Sequence, residues 1–388
     1  MPDVLITRQP LIDRQHRIVA LRLCLHPGAE GTSEAVRMLT ALTGNLPQGE
    51  RPLLVACPNA DARLLEWDIP DNVALEFPGA AFSDGRASAL TAALSRRQPA
   101  LCLVHGGSPA DNTQLFAPIQ YHAFNAGELT PDELSAQVRA LPHGSTPLVM
   151  EVADEAQFKS ALNAGATAAA SWFFTSPSIA PTQDLSPDQA HIIRVLNLVR
   201  SNADIREIET ALKQDVTLTY RLLRHMNSAS FGLSCEIQSF RHAVSILGYE
   251  KLNKWLSLLL ASASHSHAAQ ALTHTSLTRA RLMELLAHGR VEPQEYDSLF
   301  ITGAFSLLDA LLGVSMGKAL AAMHLPTPIG DALLGRGGAY APFLALALAC
   351  EGNDRPTLAA RAEALGISAD RLNRAQLAAL CFADAMDF

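Results

Sequence analysis

The sequence has no Cys-x-x-Cys pair. Its six cysteines, at 24, 57, 102, 235, 350 and 381, are scattered, which excludes the paired-cysteine arrangements of metal and redox motifs. Cys24, Cys57 and Cys102 sit in apolar, strand-like runs and read as reduced, buried side chains of a cytoplasmic protein. Basic clusters are also missing. Residues 1–180 carry 12 Lys/Arg against 18 Asp/Glu, and the remainder 18 against 20. With no dense basic patch interleaved with aromatics, no nucleic-acid partner is expected. Lysine is nearly absent from the first half, where Lys159 stands alone. Long unbroken apolar runs are absent too. The most apolar span, residues 299–323, is interrupted by Asp309, Gly313 and Lys318, so core helices are expected there and no membrane span. Asp3 and Arg8 interrupt the start, and no signal peptide is expected.

What is present suffices for two domains. The chain has 388 residues, 48% of them hydrophobic, with a mean hydropathy of +0.12, enough for sizeable cores. The first ~175 residues alternate between β-rich runs (4–9, 18–25, 52–57, 73–78, 100–105, 121–126, 146–152, 168–174) and helical segments (33–43, 86–96, 131–140, 154–164). Cap-like residues such as Thr130-Pro131-Asp132-Glu133 and Asp154-Glu155 mark helix starts. Eight strands alternating with helices predict an α/β fold, a (β/α) barrel of TIM type.

Residues 175–187 hold three prolines and three serines and read as a linker. Beyond them Ile205, Ile208, Leu212, Val216, Leu222, Leu223 and Met226 recur at helical spacing. Further helices are expected at 239–247, 249–263, 269–288, 295–312, 314–323, 341–350, 355–364 and 369–385. The second half is predicted all-α, and the chain divides into a barrel (1–177), a linker (178–188) and a helical domain (189–388).

In an α/β protein, catalytic side chains usually sit beyond the carboxyl ends of strands. The run Ala100-Leu101-Cys102-Leu103-Val104-His105-Gly106-Gly107 delivers only Leu103, Val104 and one His to such a place. The family resemblance explains why this is notable. Arg8-Gln9-Pro10-Leu11-Ile12-Asp13-Arg14 with Ile18-Val19, and Trp172-Phe173-Phe174-Thr175-Ser176-Pro177, resemble the first and last strands of EAL domains, the cyclic di-GMP phosphodiesterase barrel. The second half is similar to HDOD domains: Lys213-Gln214-Asp215-Val216, then Leu222-Leu223-Arg224-His225-Met226-Asn227-Ser228-Ala229, then Ser239 to Gly248, the Trp255 helix, and Leu277 to Leu285 around Arg279. The chain thus resembles EAL–HDOD fusions of cyclic di-GMP signalling.

A phosphodiesterase of that kind needs divalent metals held by carboxylates and an Asn. The resemblance puts Arg22-Leu23-Cys24 where Glu-Ala-Leu should stand, so a cation replaces a ligand. The next Asn falls near Val55, with Asn59 four residues on. Glu76 is kept, but its companion is Gly79. The paired Asp become Leu103 and Val104, and Lys-x-Asp becomes Ala123-Phe124-Asn125. The late Glu becomes Met150, with Glu151 beside it on the opposite face of a regular strand, and the Gln becomes Ala170. No catalysis, no metal and no cofactor are therefore expected. Arg8, Arg22 and Glu76 remain as nucleotide-binding candidates, with Arg14 and Gly106-Gly107-Ser108 as further phosphate partners.

HDOD domains resemble HD-type phosphohydrolases that lack the His-Asp dyad, and Gly303 to Asp309 contains no such step. His265, His267 and His274 lack the surroundings of a metal site. Asn227, Ser228, His242, Trp255 and Arg279 are fold-hallmark or interaction candidates, and the Trp255 helix, apolar nearly all round, is expected at the helical core. The resemblance implies a non-catalytic signalling adaptor whose helical half docks a sensor kinase, response regulator or cyclase. The alternative is a receptor that binds cyclic di-GMP without turnover.

Overall fold

Eight short apolar runs in the first 176 residues pair edge to edge and close on themselves. The computed structural model describes residues 4–58, 61–82, 87–106, 119–176, 185–214, 240–262 and 268–386. The strands are β1 (Leu5–Asp13), β2 (Ile18–His26), β3 (Leu53–Ala56), β4 (Val73–Pro78), β5 (Ala100–His105), β6 (Tyr121–Asn125), β7 (Thr146–Met150) and β8 (Ala168–Ala170), and they form a closed barrel in that order. From β2 to β8 neighbours run parallel, whereas β1 is antiparallel to both β2 and β8. The tight turn at Asp13–Arg17 causes this reversal. Asp13 accepts from the backbone N–H groups of Gln15 and Arg17 and from the Arg17 guanidinium, so β2 returns beside β1 with no crossover helix.

One face of each strand faces inward. Leu11, Ala20, Leu54, Ala74, Cys102, Ala123, Leu148 and Ala168 join in a single buried cluster that fills the lumen. Outside lie helices Thr32–Leu42, Ala87–Arg97, Pro131–Arg139 and Glu155–Asn163. Their starts follow the local chemistry: Thr130 and Glu133 form a reciprocal capping box, and Asp154 accepts from Gln157 N–H. The last strand is shorter than expected. It ends at Ala170, and Phe173–Thr175 form a 3-10 turn.

The chain divides into two units. One comprises Met1–Ser176 with Leu348–Leu377, the other Pro177–Ala347 with Ala378–Phe388. The sequence reading placed residues 348–377 in the helical domain. Their contacts group residues 348–377 with the barrel instead, among them the hydrogen bonds from Asn373 and Gln376 to β1.

The second unit is helical throughout its described residues. Helix Pro187–Arg200 starts from a Ser186–Gln189 capping box, and Ile205–Lys213 from Asp204. The segment Phe240–Ser262 is two helices joined at Gly248 (φ 73°), the break expected from the sequence. Helix Tyr296–Phe305 packs on both Ala269–Ala287 and Phe240–Ser262. The residue facing Ala280 is Gly303, which lets these two backbones approach closely. Trp255, Leu256, Leu258, Leu259 and Leu260 are all buried, which places their helix at the core, as its all-round apolarity predicted. Across these helices Lys254 pairs with Glu284 and, at 3.2 Å, with Asp297, while Arg281 meets Glu284 at 2.7 Å. A short helix, Thr327–Leu333, lies where only a Gly/Pro break was expected. No described helix is long and apolar enough to cross a membrane.

Candidate functional site

The carboxyl ends of β2 to β8 form one mouth of the barrel. Alternation along the strands turns Arg22, Cys24, Ala56, Glu76, Val104, Asn125 and Met150 inward, and turns Val55 and Leu103 toward the outer helices. The mouth is therefore apolar at most positions where the resemblance would put metal ligands. Its polar centre is one ion pair. Arg22 Nε donates to Glu76 Oε2 at 2.8 Å and Arg22 Nη2 donates to Glu76 Oε1 at 2.5 Å, while Nη1 donates to Gln9 Oε1 at 3.3 Å. The two side chains are 14% and 7% exposed. Burial pulls the Arg22 guanidinium down, but its hydrogen bonds and charge attraction to Glu76 outweigh that and hold it above its ordinary value. This fork-to-fork geometry occupies both carboxylate oxygens. The donor set does not fit a divalent metal pair: the one retained acid, on β4, is already taken by a cation fixed on β2, across the intervening β3. Among the described residues no group of three or more His, Cys, Asp or Glu is placed to hold a metal ion.

The remaining sequence candidates among the described residues each have a definite place, whereas Asn59, Gly107 and Ser108 lie outside them. Arg8, counted among the nucleotide candidates, points away from the lumen. Its guanidinium is held by Glu351 Oε1 at 2.9 Å and Gln376 Oε1 at 3.2 Å, so it is no part of the mouth. Arg14 donates to Leu162 O at 2.8 Å and Asn163 Oδ1 at 3.3 Å, closing the end of helix Glu155–Asn163. Glu151 departs from the regular alternation assumed for it. The strand stops at Met150, and Glu151 takes a left-handed backbone (φ 57°). The Cys24 thiol, inside the mouth, is pushed up by burial first and then by the Glu76 and Glu151 charges, against the opposing pull of Arg22. Burial also raises Cys57 to about 11 and Cys350 to about 12, so these thiols are protonated at neutral pH and poor nucleophiles.

At the rim, where β2 and β3 end, a cavity of about 380 Å³ is lined by His26, Pro27, Gly28, Gly31, Thr32, Pro58, Asp61, Arg63 and Arg355. His26 accepts or donates to Thr7 Oγ1 at 2.9 Å, and its pKa is lowered by burial and by Arg355. No sequence signal connects Arg355 with residues 26–63.

A second titratable pair sits outside the lumen. His105 Nε2 and His122 Nδ1 share a hydrogen bond of 2.8 Å, and His105 stacks on Phe124 with ring centroids 4.6 Å apart. His122 is 4% exposed and its Nε2 makes no hydrogen bond. Burial, then the neighbouring His105, lowers His122 to about 4. The folded state thus binds fewer protons than the unfolded state between pH ~6.5 and ~4, and stability falls as pH drops through that window. We expect a loss on the order of 1–2 kcal/mol between pH 7 and 4.5, measured by thermal melts across pH, with a flatter profile for His122→Gln.

In the helical unit, Arg279 Nη1 donates to Ser306 Oγ at 3.1 Å. Asp309 lies in the first turn of helix Leu308–Leu312 and accepts from Ala310 N–H; burial raises its pKa, against its own backbone hydrogen bonds and the attraction of Arg279. His274 meets Asp384 at 2.8 Å, a structural pairing. Trp255 is buried at the core. Asn227, Ser228, His265 and His267 lie outside the described residues, as does the side chain of His242.

Residues 186–316 match the HDOD domain. The chain is 30% identical over 215 residues to the uncharacterized protein YuxH of Bacillus subtilis, covering 54% of this chain and 52% of that one. It is 32% identical over 200 residues to a protein of Vibrio cholerae named cyclic di-GMP phosphodiesterase CdgJ, covering 51% and 46%. The chain therefore spans about half the length of the curated relatives it matches. Solved structures similar to it include Klebsiella pneumoniae BlrP1 in a calcium and cyclic di-GMP complex (TM-score 0.37, 16% identity, 45% of this chain and 55% of that one). Another is the FimX EAL domain of Pseudomonas aeruginosa bound to c-di-GMP (TM-score 0.36, 14% identity, 45% and 90%). The chain carries an HDOD domain at residues 186–316, preceded by a closed eight-stranded barrel.

Proposed function

We propose that this chain is a non-catalytic signal-transduction adaptor of cyclic di-GMP signalling, in which an inactive EAL-like barrel accompanies an HDOD platform that docks a signalling protein. A sensor kinase, a response regulator or a cyclase is the kind of partner the HDOD half would take. One observation carries the reading: Arg22 sits bidentate on Glu76, so a permanent cation fills the place a phosphodiesterase would give to a metal. Displacing it would leave a guanidinium unpaired inside the barrel, a cost of several kcal/mol. One matched relative bears the name of a phosphodiesterase; this chain keeps the barrel with one acid of the ligand set facing the lumen beside Arg22.

The second reading, a receptor that binds cyclic di-GMP without hydrolysing it, draws on the rim cavity, where His26, Arg63 and Arg355 face one carboxylate, Asp61. Titration calorimetry with cyclic di-GMP separates the two. The adaptor reading predicts no saturable heat up to high micromolar nucleotide. Saturable heat that disappears in Arg355→Ala would establish the receptor instead and locate its site.

A further inference from the structure

β1 has a strand neighbour along only part of its second edge. Pairing with β8 covers Leu11, Ile12 and Asp13, because β8 ends at Ala170. The backbone groups of Ile6, Arg8 and Pro10 turn to this edge. At Pro10 the carbonyl accepts from Ser171 N–H at 3.3 Å, and proline has no N–H left to satisfy. Farther along, residues more than 330 positions away take over. Ile6 N–H donates to Asn373 Oδ1 at 3.1 Å and Gln376 Nε2 donates to Ile6 O at 2.8 Å. Asn373 Nδ2 donates to Val4 O at 2.7 Å, and Arg8 N–H donates to Cys350 O at 2.8 Å. The Arg8–Glu351 pair, 2% and 7% exposed, closes the arrangement.

These partners imitate a strand. A primary amide carries the same carbonyl and N–H groups as a peptide unit. Asn373 and Gln376 are three residues apart on helix Ala369–Asp384, so both project from one face. Together they present to β1 the acceptors and donors that an adjoining strand would. Asn373 is 1% and Gln376 1% exposed, and most of their hydrogen bonds go to the backbone of this strand edge, with Gln376 Oε1 also accepting from the Arg8 guanidinium and Asn373 Nδ2 reaching Met38 Sδ. Helix Arg355–Ala364 packs on β1 beside them.

We propose that Leu348–Leu377 is a strap that stands in for the missing length of β8 and holds the β1–β8 seam of the barrel shut, with the Arg8–Glu351 pair as its latch. The segment 177–347 is then an insertion within the chain of the barrel unit rather than an appendage to it. The seam is the barrel's built-in opening point: lifting the strap bares the edge of Val4–Arg8 while the remaining ladders stay paired.

Hydrogen–deuterium exchange on the full chain tests this. In the unsubstituted protein, the peptide spanning residues 4–12 exchanges as slowly as the inner strands β3 and β4. In Asn373→Ala/Gln376→Ala its exchange accelerates by about tenfold or more, while peptides from Ala269–Ala287 keep their rates. Should the double variant fail to fold, Glu351→Gln, which keeps the side-chain shape, gives the same local acceleration to a smaller degree. The proposal is overturned if residues 4–12 exchange at unchanged rates in these variants, or if the acceleration is equal across both units.

Discussion

Arg22→Met should destabilise the barrel by about 3–5 kcal/mol at neutral pH. The methionine is apolar and unbranched, but it leaves the Glu76 carboxylate, 7% exposed and flanked in register by Ala56 and Cys102, with no cation. The double variant Arg22→Met/Glu76→Leu should be far closer to the unsubstituted protein, since replacing a whole buried pair with apolar groups is often neutral or better. Chemical denaturation followed by the fluorescence of Trp67, buried in the barrel unit, measures all three. Equal losses in the single and double variants would mean that the pair is not the buried, mutually dependent unit described above.

Gly303→Ala should have a comparable effect in the helical unit, a loss of about 3 kcal/mol or more. A methyl group on Gly303 would stand 2.5 Å from Ala280 Cα and 2.6 Å from its backbone nitrogen. Both are main-chain atoms of helix Ala269–Ala287, so no rotamer change relieves the clash and the two helices must separate. Gly317→Ala is the matched control. It too is helical, but nothing lies within 4 Å of the added methyl, and it should be neutral or stabilising by about 0.5–1 kcal/mol through helix propensity. Thermal melts of the two variants give opposite signs.

Much of the barrel was legible because its strands are short apolar runs between turn residues, a pattern that buried parallel strands produce locally. All eight strands overlap the runs that predict them, though β1 runs on to Asp13 and β8 stops at Ala170, and Thr130-Pro131-Asp132-Glu133 forms the capping box its spacing promised. What escaped the sequence depends on contacts between distant positions. The antiparallel β1 follows from the Asp13–Arg17 turn and not from the alternation of strands and helices. Arg22 and Glu76 each stood out singly, yet only the register of β2, β3 and β4 brings them together across 54 positions. Arg8 looked like a phosphate partner until Glu351, 343 residues away, supplied its acid. Nothing local in Asn373 or Gln376 indicates that each completes a strand edge. The side of Glu151 is not legible from alternation, because the strand ends at Met150 and Glu151 itself is left-handed.

The central claim is that the Arg22–Glu76 pair leaves the barrel without the chemistry of a two-metal phosphodiesterase. The most direct test is to incubate the purified chain with cyclic di-GMP and millimolar magnesium or manganese and follow the linear dinucleotide by chromatography. The account predicts a rate indistinguishable from that of the metal and nucleotide alone, at every pH from 6 to 9. Metal-dependent cleavage that rises in proportion to protein concentration would contradict it.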